Sequence, residues 1–143
     1  MEPNQIEIEA EGLVRDLSNE LFTPQPRECL LCFVDRQVSE FGCDGTHRFA
    51  AHFRDMTAPR ATALLRTLGG LGAFCDCEVA LNAYWPEASL WSRGYWHQFA
   101  DGREEYREAR PPDRMPPCRG VRRGSTPPCA LWERRRGGFF GRY

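Results

Sequence analysis

Cys75-Asp76-Cys77-Glu78 sets two thiols and two carboxylates in four consecutive positions, just after the glycine-rich turn Gly69-Gly70-Leu71-Gly72 and the intervening Ala73-Phe74. Cysteines one residue apart pair poorly with each other, because disulfide geometry strains so short a ring. They can instead present two thiolates to one soft ion. Cys29-Leu30-Leu31-Cys32 and Cys43 lie upstream, so five of the seven cysteines fall between residues 29 and 77. A Cys-x-x-Cys pair is the common half of a tetrahedral zinc site, and Cys29/Cys32 is such a half. The second half is Cys75/Cys77 with Cys43 spare, or Cys43 with one of that pair. Cys29, Cys32, Cys43, Cys75 and Cys77 are thus five candidates for four places. Soft thiolates favour zinc or an iron–sulfur cluster over magnesium or calcium, and Zn2+ is the default. Buried reduced cysteines acting as small apolar groups are the competing reading; the clustering argues against it.

The same stretch holds the residue types of an enzyme. Cys77 and Glu78 stand next to an expected helix start, and His47 and His52 are close in sequence, so nucleophile, acid and base types are present. A catalytic zinc needs three protein ligands and an open position, and five cysteines favour a closed site. His47 and His52, five residues apart, do not share one helical face. Glu78 reads most simply as a first-turn acid facing the helix dipole.

These residues need helices to place them. Spacing predicts a helix over about 10–22 from Leu13, Leu17 and Leu21, stopped by Thr23-Pro24-Gln25-Pro26. Leu30, Val34, Val38 and Phe41 predict a helix over 28–41 with Gly42 at its C-cap, which puts Cys29 and Cys32 in its first turn, where thiolates are favoured. A further helix is expected over 46–56 around Phe49 and Phe53. Thr57 is expected to cap the next, through Ala61, Leu64, Leu65 and Leu68. Asp76 is expected to cap a last core helix running to Tyr84, with a minor strand pair near residues 72–76. Trp85, Trp91, Tyr95, Trp96 and Phe99 form an aromatic segment that closes the open side of the core or serves as an exposed docking or base-stacking surface.

Overall charge is only −1, but it is polarised: residues 1–28 carry seven acids against two arginines, and residues 101–143 eleven arginines against six acids. All nineteen basic residues are arginine, a usage typical of GC-rich genomes and suggestive of an actinobacterial source. The amino terminus has no secretory pattern, and no apolar run is long enough to span a membrane. The expected compartment is the cytoplasm, where clustered cysteines are metal ligands more often than disulfides. The expected organisation is an acidic helix and linker over 1–26, a metal-binding domain with the aromatic segment over 27–100, and a basic tail over 101–143. In that tail Pro111-Pro112, Pro116-Pro117-Cys118 and Pro127-Pro128-Cys129 alternate with arginines, which predicts disorder; Cys118 and Cys129 read as incidental free thiols, with an accessory metal clip as the less favoured alternative. The fold class expected is small and mainly α, with a zinc-knuckle-like cysteine cluster.

Cys43-Asp44-Gly45-Thr46 with Arg48, followed by Gly72-Ala73-Phe74-Cys75-Asp76-Cys77-Glu78-Val79 and Asn82, resembles the bacterial DUF2695 family, in the longer actinobacterial form that carries an added Cys-x-x-Cys. The similarity covers about residues 27–85. Where the family usually has two glycines before the aromatic residue, this chain has Gly72-Ala73. The resemblance implies a compact thiol-rich domain and supplies no activity. The function expected from all of this is a small zinc-stabilised domain that binds a protein partner. The alternatives are a thiol- or metal-dependent enzyme or redox protein using Cys-Asp-Cys-Glu, and a nucleic-acid-binding accessory protein using the arginine tail.

Overall fold

The computed structural model describes residues 4–135, and the side chains of those residues outside 14–21. Helix α1 (Gln5–Phe22) begins earlier than the apolar spacing predicts, because Asn4 and Glu7 form a reciprocal cap. The Glu7 N–H donates to Asn4 Oδ1 at 2.9 Å and the Asn4 N–H to Glu7 Oε2 at 3.2 Å. Leu13 is exposed, and the side chains of Leu17 and Leu21 lie outside the described residues. At the helix end Phe22 packs on Phe41 (4.7 Å) and Phe49 (6.2 Å between centroids).

α2 (Leu30–Phe41) follows its prediction closely, with Cys29 as N-cap and Gly42 at φ 75° as C-cap. Its buried face, Leu30, Leu31, Phe33 and Val34, is the centre of the core and meets Phe49 and Phe53 of α3 (Arg48–Thr57). Glu28, just ahead of α2, is buried and accepts two hydrogen bonds from the Arg36 guanidinium at 2.8 and 3.0 Å.

Thr57 does not cap a helix. Its hydroxyl donates back to the Phe53 carbonyl at 2.8 Å, which keeps Thr57 inside α3. Residues 58–63 form turns, and α4 (Leu64–Gly70) starts only at Leu64. The last helical stretch is also shorter than predicted: a single turn, α5 (Asp76–Glu78), passes into a π-helical turn over Val79–Ala83. Tyr84 leaves the helix because it belongs to strand β1 (Tyr84–Pro86). No strand pair forms near 72–76 among the described residues; β1 instead pairs antiparallel with β4 (Trp132–Arg134), Tyr84 opposite Arg134 and Pro86 opposite Trp132. Strands β2 (Tyr95–Gln98) and β3 (Glu104–Arg107) make a separate hairpin. Among the described residues the chain is therefore helical in its first part and forms two small antiparallel sheets, a more mixed fold than the mainly α class expected.

The aromatic segment divides. Trp85 and Trp91 are half-buried, edge to face at 5.7 Å, whereas Tyr95 and Trp96 stand exposed on the β2–β3 hairpin.

The expected disordered tail is corrected as far as residue 135; residues 136–143 lie outside the described part. Residues after 110 run back over the core. The Val121 N–H donates to the Arg27 carbonyl (2.9 Å), the Glu87 N–H to the Leu131 carbonyl (2.8 Å), and Cys129, Leu131 and Trp132 are buried. The proline and arginine content concealed these three apolar side chains, which join the core cluster. Leu131→Ala is expected to destabilise the chain by about 2–4 kcal/mol, the range for emptying a core site, measured as a lowered urea midpoint. A change below about 0.5 kcal/mol, the range of exposed sites, would contradict this packing.

Candidate metal centres

The seven cysteines gather into two groups, and the grouping departs from the single knuckle that their sequence order suggests. Cys29, Cys32, Cys118 and Cys129 bring four sulfurs within 4.8 Å of one another, and so do the three sulfurs of Cys43, Cys75 and Cys77. Cys29/Cys32 thus takes its second half from the two tail cysteines, not from the Cys-Asp-Cys turn.

The four-cysteine group is almost closed to water: Cys29, Cys32 and Cys129 are buried and Cys118 half-buried. The Cys32 and Cys129 sulfurs are 3.8 Å apart. A tetrahedral zinc with Zn–S bonds of about 2.3 Å has sulfur–sulfur edges of about 3.8 Å, so the spacing suits that ion. The donors around it treat sulfur as an acceptor. Cys29 Sγ takes the Cys32 N–H (3.4 Å), Cys118 Sγ takes the N–H groups of Cys29 (3.3 Å) and Gly120 (3.4 Å), and Cys32 Sγ takes the Trp132 indole N–H (3.3 Å). Such donors stabilise thiolates. The thiol chemistry agrees: the hydrogen bond shared with Cys32 lowers Cys29 to about 5 in spite of burial. The same bond, then burial, raises Cys32, and burial raises Cys129. Without a cation one sulfur carries charge at the expense of its neighbours; a divalent ion lets all four ionise.

The second group is built around Asp76. Its carboxylate is fully buried and accepts the N–H groups of Phe49 (2.9 Å) and Ala50 (3.0 Å), so it caps α3 from outside that helix, while its own N–H donates to the Thr46 carbonyl (3.0 Å). Burial raises its pKa, with the two donors acting in the opposite sense. The Cys75–Cys77 turn is thereby fixed beside Cys43. Cys75 and Cys77 sulfurs lie 3.2 Å apart, closer than the about 3.8 Å edge of a zinc tetrahedron, so an ion bound to both has to spread them. Burial, then the Cys77 hydrogen bond, pushes Cys75 up to about 12. At Cys43 burial is outweighed by hydrogen bonds from the Cys77 and Gly45 backbone, and its pKa is lowered.

Of the residues weighed for catalysis, His47 Nε2 lies 2.7 Å from the Ala73 carbonyl oxygen, so that nitrogen carries the proton, and His52 packs near the Phe33 ring at 6.4 Å. Glu78 is hydrogen bonded to Cys75 Sγ at 3.4 Å and to the Asn82 amide at 2.8 Å. Of these three, Glu78 is the one hydrogen bonded to a cysteine sulfur.

Residues 30–82 match DUF2695, a family of unknown function. The resemblance expected from Cys43-Asp44-Gly45-Thr46 and the Cys-Asp-Cys-Glu element is borne out. The DUF2695 span contains Cys43, Cys75 and Cys77 but only Cys32 of the four-cysteine group. Uncharacterized proteins of Mycobacterium tuberculosis and Mycobacterium bovis are each 36% identical over 61 residues, covering 43% of this chain and 61% of the relative. The chain thus spans less than two thirds of the length of the curated relatives it matches. No solved structure matches it. No helix among the described residues is long and apolar enough to cross a membrane.

Proposed function

We propose that Cys29, Cys32, Cys118 and Cys129 bind a structural zinc, and that the protein is a zinc-stabilised cytoplasmic module which works by holding a protein partner. The convergence of four sulfurs, from residues 89 and 97 positions apart, carries this reading. The metal ties the start of α2 to the returning tail, and the energy of binding becomes energy of folding. The partner surface is the β2–β3 hairpin. Tyr95, Trp96 and Tyr106 are exposed by 56%, 68% and 51%, with Trp96 and Tyr106 paired across the strands at 5.3 Å. Aromatic side chains flanked by arginine, here Arg93, Arg103 and Arg107, are the residue types enriched in protein interfaces.

The test has two arms. A strong chelator should remove zinc and abolish the cooperative melt; an apo chain that melts like the loaded one would end the structural-zinc reading. A Trp96→Ala/Tyr106→Ala chain should keep zinc and melt normally while losing about tenfold in partner affinity, read by quantitative cross-linking in cells of the native host. Partner recovery equal to that of the parent chain would reject the hairpin as the contact.

A further inference from the structure

Cys43, Cys75 and Cys77 are not needed by the zinc-stabilised fold proposed above, yet their surroundings are those of a ligand set. Cys43-Asp44-Gly45 repeats the local geometry of Cys118-Arg119-Gly120. In each, the glycine two residues on has positive φ, 85° and 83°, and turns its N–H back onto the cysteine sulfur at 3.4 Å. A side chain other than glycine's is strained at such φ, so both turns are specialised for presenting sulfur. The Cys75–Cys77 side is equally fixed, by Asp76 on α3 and by Glu78, whose second oxygen accepts from Asn82 while the same amide nitrogen reaches the Gly72 carbonyl at 2.8 Å.

This group differs from the first in two respects. It has three sulfurs, not four, and Cys43 and Cys77 are only half-buried. Three protein ligands and solvent access are the features that separate an open zinc site from a closed structural one. Glu78 Oε1 lies 3.4 Å from Cys75 Sγ, which places a carboxylate directly behind the ligand set.

We propose that Cys43, Cys75 and Cys77 bind a second zinc ion whose fourth coordination position is open to an external ligand. Binding displaces the remaining thiol protons and involves no change of oxidation state. The chain then carries one locked metal and one that exchanges.

The experiment uses the full chain, purified anaerobically. Native mass spectrometry should show two zinc ions, and the colorimetric chelator 4-(2-pyridylazo)resorcinol should withdraw one of them about tenfold faster or more, because that ion has three protein ligands and a solvent-facing position. Cys43→Ser and Cys77→Ser should each hold one zinc and lose only the fast phase. With cobalt in place of zinc, imidazole should shift the visible spectrum of the parent chain and leave that of Cys43→Ser unchanged. One zinc that survives Cys43→Ser would overturn the second site and leave the structural one standing. One zinc lost on Cys43→Ser but kept on Cys118→Ser would support the second site and reject the first. A Cys75–Cys77 disulfide in the anaerobic protein, or two zinc ions retained by Cys43→Ser, would also overturn the proposal.

Discussion

Cys129→Ser is expected to leave the chain without a cooperative thermal melt at ordinary zinc concentration and to lower its zinc content by one ion. Structural zinc in small domains is worth about 10–16 kcal/mol in apparent binding, and a domain's whole stability is about 5–15 kcal/mol. Losing one ligand of four removes much of the first quantity and so threatens all of the second. The effect is aggravated here by chain topology. The cluster closes loops of 89 and 97 residues, and the same closure delivers Leu131 and Trp132 to the core and β4 to β1. Serine is nearly isosteric but buries a hydroxyl, which by itself costs about 1–3 kcal/mol; loss of the whole melt together with one zinc identifies metal as the cause. Far-UV circular dichroism on heating, with zinc content measured on the same sample, decides the matter. Cys43→Ser, half-exposed and outside this cluster, should melt within a few degrees of the parent chain. A Cys129→Ser chain that melts as cooperatively as the parent would show that the four sulfurs are only a thiol pocket.

The features legible in the sequence are those decided over a few residues. α2 was readable because Leu30, Val34 and Val38 repeat at helical spacing and Gly42 ends them; the thiols of Cys29 and Cys32 at its start followed from that. The partners of those thiols were not readable, since nothing local links Cys29 to Cys118. The clustering of five cysteines between residues 29 and 77 pointed to a wrong grouping, in which neighbours in sequence became neighbours in space. Composition misled in the same direction. The arginines and prolines after residue 110 predict a solvated tail, yet Cys129, Leu131 and Trp132 are buried in the core. One local signal did exist: Cys-x-Gly occurs at Cys43-Asp44-Gly45 and at Cys118-Arg119-Gly120, and the shared turn marks Cys118 as a presented sulfur. Asp76 shows a different limit. Its residue type announces a helix cap, but the sequence suggests its own helix, whereas the side chain reaches across to α3.

That reach makes Asp76→Ala the second large effect expected. The substitution leaves the N–H groups of Phe49 and Ala50 without their acceptor, in a place where Phe49 is 3% and Ala50 0% exposed, so water cannot replace it. Each buried donor left unsatisfied costs about 1–3 kcal/mol, and the pair predicts a loss of about 3–5 kcal/mol, measured by urea unfolding of zinc-saturated protein. Asp76→Asn should recover only part of this, because an amide offers one acceptor oxygen where two are used. The consequence should extend to the second zinc proposed above. Asp76 is the residue that holds the Cys75–Cys77 turn on α3 beside Cys43, so its removal should weaken the exchangeable zinc while the four-cysteine zinc stays bound. An Asp76→Ala chain within about 0.5 kcal/mol of the parent, the range of ordinary surface substitutions, would mean that the carboxylate does not cap α3. If stability falls as predicted but both zinc ions bind unchanged, capping and metal binding are independent, and the turn is held by the sulfurs themselves.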